Sequence, residues 1–270
     1  MRFEAKGVCY AYPGGGQAVR DVHFAVDPGE RVALAGRNGA GKSTLARLCC
    51  GLAPPCAGSV LLDGREACSL PPKIRARLAG YVFQDPASQL FAATTREELA
   101  YGPRNVGFSG EALTAAVENA AAMAGLSGLM EANPFELSLS TRRMVALAST
   151  LAMGPGLLFL DEPTAGLDLP ARRLLEGILA RLGREGVAVI VISHDMDFCA
   201  ANLDRILVMA GGALAADEPA ARFFTNEERA KELGLVQPEA ARLGRLTGLA
   251  QAPRDADDFL RLFAAARAEG

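Results

Sequence analysis

Tryptophan is absent from the 270 residues of this chain, and the aromatic share is only 6%. A surface that stacks successive bases on rings is therefore not expected. Nor is there an excess of charge of one sign: 28 basic against 31 acidic residues leave −3, which argues against a basic nucleic-acid platform. No apolar run approaches the roughly 20 residues that span a bilayer. The strongest candidates, residues 157–160 and 187–192, have the length of strands and end in polar residues. Met1 is followed by Arg2-Phe3-Glu4-Ala5-Lys6 without an apolar signal core, so the expectation is a cytosolic chain. His23 and His194 are the only histidines and neither stands at ligand spacing, which speaks against a zinc-type site. Cys9, Cys49, Cys50, Cys56, Cys68 and Cys199 form neither a C-x-x-C pair nor a regular framework. In a reducing compartment they are expected to be small buried hydrophobes. What remains is a half-hydrophobic chain long enough for one large domain, or one domain with an appendage.

The most informative stretch present is Gly36-Arg37-Asn38-Gly39-Ala40-Gly41-Lys42-Ser43. The apolar run Arg31-Val32-Ala33-Leu34-Ala35 before it reads as a buried strand, and Thr44-Leu45-Ala46-Arg47-Leu48 after it as the start of a helix. Strand, glycine-rich loop, then helix is the context in which G-x-x-x-x-G-K-[ST] cradles phosphate. Glycines let the loop turn tightly so that its N–H groups point inward, and the helix N-terminus adds positive partial charge. Lys42 is expected to reach the β- and γ-phosphates of a nucleoside triphosphate and Ser43 to ligate Mg²⁺.

Residues 1–30 show β character, with Val22, Phe24 and Val26 alternating and Tyr12-Pro13-Gly14-Gly15-Gly16 as a turn. Further strands are expected at 59–62 and 80–83. From about 86 to 152 the pattern becomes helical, most clearly over 111–124. Short apolar strands resume at 157–160, 187–192 and 205–209, and Gly211-Gly212 suggests a hairpin turn. The expected fold is α/β: a P-loop core with a mainly parallel sheet, an N-terminal antiparallel β subdomain and an inserted helical subdomain. A nucleotide-binding domain over 1–230 is followed by a helical extension over 231–270.

Leu157-Leu158-Phe159-Leu160 ends in Asp161 and Glu162. Where a strand ends the chain turns, so both carboxylates can reach one crevice. Asp161 is the expected Mg²⁺ partner, and Glu162 the residue that polarises or deprotonates the attacking water. Pro163-Thr164-Ala165-Gly166-Leu167-Asp168 follows at once. Residues 160–168 resemble the Walker B and D-loop of ABC-type ATPases. Gln84, after Tyr81-Val82-Phe83, is similar to their Q-loop, and His194, after Val191-Ile192-Ser193, to their switch histidine. The resemblance implies that Gln84 senses Mg²⁺ and the lytic water and that His194 touches the γ-phosphate. Gly36, Asn38, Gly39, Ala40, Gly41, Lys42, Ser43 and Thr44 would hold ATP together with Asp161. Tyr12 occupies the place of the aromatic that stacks on adenine, with Tyr10 a neighbour that could compete.

A narrower resemblance rests on Phe83-Gln84-Asp85-Pro86-Ala87-Ser88-Gln89-Leu90-Phe91-Ala92-Ala93-Thr94-Thr95, on Tyr101-Gly102-Pro103-Arg104-Asn105, and on Glu232-Leu233-Gly234-Leu235 with Pro238-Glu239 and Arg242-Leu243. These look like the ATPases of energy-coupling-factor importers, which take up vitamins and transition-metal ions. The resemblance implies a peripheral position at the cytoplasmic face of the membrane. It also implies an integral-membrane partner contacted through about 85–91, and a substrate-binding membrane subunit engaged only indirectly.

The pattern breaks at the Leu-Ser-Gly-Gly-Gln signature of that family. Here the chain reads Leu137-Ser138-Leu139-Ser140-Thr141, so two glycines and the glutamine are replaced. Ser138 remains able to donate one hydrogen bond to nucleotide held by an opposite subunit. Leu139 brings apolar bulk towards phosphate, and any requirement there for positive φ would be costly. The expected assembly is a heterodimer with a second ABC ATPase whose signature is intact. A soluble nucleic-acid-directed ATPase predicts a basic surface or long insertions, neither visible here. A non-hydrolysing scaffold sits badly with an intact Glu162 and His194, and kinases or GTPases leave the 161–168 and His194 elements unexplained.

Overall fold

The computed structural model describes residues 1–268. The chain opens with β1 (Phe3–Ala11), β2 (Gln17–Val26), β3 (Arg31–Gly36), α1 (Lys42–Cys49), β4 (Ala57–Leu62) and β5 (Arg65–Glu66). It continues with α2 (Pro72–Leu78), β6 (Ala79–Val82), α3 (Thr95–Val106), α4 (Gly110–Met123) and α5 (Leu139–Leu151). Next come β7 (Leu157–Asp161), α6 (Leu169–Arg184), β8 (Ala188–Ile192), α7 (Met196–Asn202), β9 (Arg205–Ala210) and β10 (Ala213–Pro219). Four helices close the chain: α8 (Ala220–Phe223), α9 (Glu227–Glu232), α10 (Glu239–Leu246) and α11 (Ala256–Ala268).

Two sheets result. The first runs β2-β1-β4-β5 and is antiparallel; the second runs β10-β9-β3-β8-β7-β6. In the second sheet every pairing from β9 to β6 is parallel, and β10 returns antiparallel to β9 through Gly211-Gly212. β7 and β8 are buried along their whole length, as strands covered on both faces must be. Their side chains alternate between two cores. Leu158, Leu160, Val189 and Val191 pack against the helices α5 to α8, whereas Leu157, Phe159, Ile190 and Ile192 face α1 and the antiparallel sheet.

The expected α/β architecture is thus present, with α3, α4 and α5 forming the helical block between β6 and β7. The helix read at 111–124 spans Gly110–Met123. Helix α2 is not announced by apolar spacing; Pro72 stands at its first helical position, where a missing N–H costs nothing. The cysteines need a correction. Cys49, Cys50 and Cys199 are buried, but Cys9 and Cys68 are only partly covered and Cys56 is exposed. Cys56 lies in the turn after Pro54-Pro55, before β4 enters the sheet, and so has nothing to pack beneath.

Candidate functional site

The parallel strands β3 and β7 deliver their C-terminal ends to one side of the sheet, separated by β8. There β3 runs into the phosphate-type loop and α1 begins at Lys42. Gly41 precedes the helix at φ +101°, and a Cβ on it would collide with the carbonyl of Ala18 in β2, so only glycine closes this loop. No side chain caps α1, which leaves its first-turn N–H groups available to an anion. The loop is pinned from behind, because the N–H of Gly212 donates to the Ala40 carbonyl at 3.2 Å.

An open cleft of about 570 Å³ lies over this loop. From the loop and helix, Asn38, Gly39, Ala40, Gly41, Lys42, Ser43 and Thr44 line it; from elsewhere come Tyr12, Gln84, Asp161, Glu162 and His194. Gly36 lies just behind, at the end of β3, and its carbonyl accepts from Lys42 Nζ at 2.7 Å. The Arg37 carbonyl is 3.1 Å from the same ammonium. Burial holds the Lys42 pKa below its ordinary value, with Glu162 and Asp161 acting against that shift. Tyr12, not Tyr10, lines the cleft: its hydroxyl is 3.0 Å from Thr44 Oγ1, and Tyr10 packs edge-on behind it at 5.0 Å.

Asp161 is nearly buried and accepts a hydrogen bond from the Tyr81 hydroxyl at 2.6 Å. Glu162 adopts a left-handed backbone, φ +48°. Its Oε2 accepts from the His194 N–H at 3.3 Å, and its Oε1 is 3.4 Å from His194 Nε2. Oε1 is also buried without a hydrogen-bond partner. Burial raises the Glu162 pKa; His194 and Lys42 oppose the rise and Asp161 adds to it. His194 stands immediately before α7, whose first turn is capped by Asp195 accepting from the Phe198 N–H at 2.8 Å, so the cap fixes where the histidine leaves the sheet. The Ser43 hydroxyl and the Asp161 carboxylate, which line the same cleft, are oxygen donors of the kind a hard divalent cation takes.

Ser138 is the one predicted nucleotide contact that the fold keeps away from this cleft. It caps α5: its Oγ accepts from the Thr141 N–H at 3.1 Å and lies 2.8 Å from the Thr141 hydroxyl. Leu139 and Ser140 occupy the first turn of α5. Among the described residues, the non-glycines with positive φ are Asp21, Asp63 and Glu162, so the strain expected at the replaced glycines does not arise. What the replacements change is bulk and polarity.

The 85–91 segment is firmly mounted. Asp85 caps the short turn Pro86–Ser88. Gln89 Oε1 accepts from the Phe83 N–H at 3.2 Å, while its Nε2 reaches the Ala146 carbonyl at 2.7 Å and the Ser149 and Thr150 hydroxyls. Phe91 is 58% exposed and packs edge-on with exposed Tyr101, ring centroids 4.6 Å apart. Sequence reasoning missed Tyr81 and Gln89. A buried tyrosine within an otherwise apolar strand was the available signal for the first; nothing local marks the second.

Residues 19–165 match the family model for the ABC transporter. The chain is 37% identical over 243 residues to an energy-coupling factor transporter ATP-binding protein, EcfA, of Methanothermobacter thermautotrophicus, covering 89% of this chain and 78% of the relative. A similar solved structure is cbiO1 of Clostridium perfringens, part of the ABC transporter complex cbiONQ. It superposes with a TM-score of 0.76 at 29% identity over 92% of this chain and 98% of that one. A dimeric ATP-binding cassette bound to ADP and Pi in a post-hydrolysis state superposes with a TM-score of 0.71 at 26% identity, covering 81% of this chain and 98% of that one.

Proposed function

Because the chain belongs to the ABC transporter ATP-binding family, and is an ATPase subunit that couples hydrolysis to transport, we propose that it energises an importer of the energy-coupling-factor type for vitamins or transition-metal ions. It sits at the cytoplasmic face of the membrane, and no helix among the described residues is long and apolar enough to cross one. Residues 1–230 form the nucleotide-binding domain, with the helical insertion at 86–152, and 231–270 a C-terminal extension. Residues 269–270 of that extension lie outside the described residues. The integral-membrane partner docks on the 85–91 segment, where the exposed Phe91–Tyr101 pair offers apolar surface. A substrate-binding membrane subunit is engaged only through that partner.

The observation that carries this reading is the gathering of Lys42, Gln84, Asp161, Glu162 and His194 around one cleft over the glycine loop. Tyr12 stacks on the adenine, and the loop N–H groups with Lys42 bind the phosphates. Ser43, Gln84 and Asp161 would hold Mg²⁺, which when bound offsets phosphate charge. Glu162 orients the attacking water and draws on its proton, while His194 touches the γ-phosphate. Catalysis is mostly electrostatic positioning of the phosphates and the attacking water.

The partner ATPase supplies an intact signature to this cleft and receives the degenerate 137–141 segment in return, so one of the two composite sites turns over slowly. Ser138 contributes its hydroxyl to that second site. The test is ATP turnover by the purified chain with and without the partner ATPase. Little activity alone and a large rise on mixing are expected; high cooperative activity from the isolated chain overturns the heterodimer.

A further inference from the structure

Residues 162–168 carry the glutamate that handles the lytic water, yet none of them is fully buried. The turn is anchored at its start by the Glu162 N–H, which donates to the Ile192 carbonyl of β8 at 2.8 Å, and is otherwise held by the N-terminal end of α5. At its start, Arg143 Nη1 donates to the Glu162 carbonyl at 3.3 Å. In the middle, a Cβ on Gly166 would lie 2.9 Å from Leu139 Cδ2 and 3.8 Å from Arg143 Nε, so the leucine and the guanidinium fill the space beneath a residue held at φ +70°. At its end, the Asp168 N–H donates to Ser140 Oγ at 3.2 Å. Positions 139 and 143 lie one helical turn apart on the same face, which brings both under the turn together.

We propose that Arg143 is a positioning residue for Glu162: its guanidinium holds the Glu162 carbonyl and, with Leu139 and Ser140, keeps the left-handed backbone that aims the carboxylate at His194. A left-handed glutamate persists only where its surroundings over-determine it. Filling space does not account for an arginine here. Its Nε is buried without a hydrogen-bond partner, a cost that leucine or methionine would avoid. Burial lowers its pKa, and the charges of Asp85 and Glu162 oppose that shift, so the guanidinium lies in the fields of the glutamate and of the 85–91 segment together. The residues standing in for the signature glycines thus have a role within their own chain. The catalytic part of this proposal rests on the reading of Glu162 given above.

Arg143→Met keeps the volume without the donors, and Arg143→Lys keeps charge and one donor. In the isolated full chain, hydrogen–deuterium exchange read by mass spectrometry should be faster by ~10-fold or more across 162–168 in Arg143→Met. Exchange in β7 and the body of α5, and fluorescent ATP binding, should be unchanged. In the complex with the partner ATPase, kcat should fall ~10-fold or more while KM for ATP stays within about two-fold, with Arg143→Lys intermediate. Adding Arg143→Met to Glu162→Gln should cost nothing further, because both act through one carboxylate. Unchanged exchange at 162–168 overturns the brace whatever turnover does. A loss that adds to that of Glu162→Gln overturns the catalytic part, as does full turnover by Glu162→Gln itself, even where the exchange result holds. If Arg143→Met does not fold, the Arg143→Lys exchange and kcat decide the question alone.

Discussion

The Tyr81 hydroxyl donates to Asp161 Oδ2 at 2.6 Å, from a neighbouring strand of the parallel sheet. Burial and this bond both push the Tyr81 pKa up, so the phenol stays a donor throughout the physiological range. The contact commits one oxygen of the carboxylate and fixes its rotation towards the cleft. Tyr81→Phe should lower stability by about 1–3 kcal/mol in urea unfolding, the cost of leaving a buried polar partner unmade. It should also weaken the Mg²⁺ dependence of nucleotide binding, measured by magnesium titration. A variant identical to wild type in both tests removes the positioning role assigned to this phenol.

Glu162 makes stability depend on pH in a definite sense. Its folded pKa is raised by burial, so between the ordinary carboxylate value and the raised one the folded state binds more protons than the unfolded chain. Stability therefore falls as pH rises through that window. Glu162→Gln should be more stable than wild type at pH 7, and the advantage should vanish as pH drops below the ordinary carboxylate range. Urea midpoints across a pH series check this; an advantage independent of pH contradicts it.

Gln89 ties the stretch after the Q-loop to α5 through its Nε2, which lies within hydrogen-bond reach of the Ala146 carbonyl and the Ser149 and Thr150 hydroxyls, while its Oε1 accepts from the Phe83 N–H. Gln89→Ala should leave ATP affinity within about two-fold, since the residue is outside the cleft. If the membrane partner docks on 85–91 as proposed, its stimulation of turnover should be lost, because that segment no longer moves as one with α5. Measuring ATPase activity with and without that partner separates the two effects.

Gly41→Ala places a methyl against the Ala18 carbonyl at a backbone angle that L-residues resist. A strain of about 1–3 kcal/mol should open the loop and weaken nucleotide binding about 10- to 100-fold, read by fluorescent ATP titration. Equal affinity would mean that the loop tolerates a different closure.

Much of the architecture is legible in local pattern. Continuous apolar runs at 157–160 and 187–192 mark strands buried on both faces, and glycine spacing marks the loop between β3 and α1. Motif order along the chain leads to the residues that the fold gathers in one cleft, because parallel strands all discharge their C-terminal ends on the same side. Helix α2 is short and none of its residues is buried, so no apolar period marks it, and the exposure of Cys56 went unforeseen because burial depends on what lies above a residue and not on its hydrophobicity.

The order of residues by itself determined the loop that closes only with glycine, the strands that flank it and the family to which the chain belongs. These follow from steric limits and side-chain periodicity, which act over a few residues. Tertiary structure alone decided that Tyr81 holds Asp161, that Gln89 fastens to α5, and that Leu139, Ser140 and Arg143 grip the turn from Glu162 to Asp168. Each of these joins partners 19 to 80 positions apart. Such contacts exist only after the sheet and helix α5 have packed, because hydrogen bonds and dispersion act over a few ångströms and nothing in a linear pattern encodes that distance.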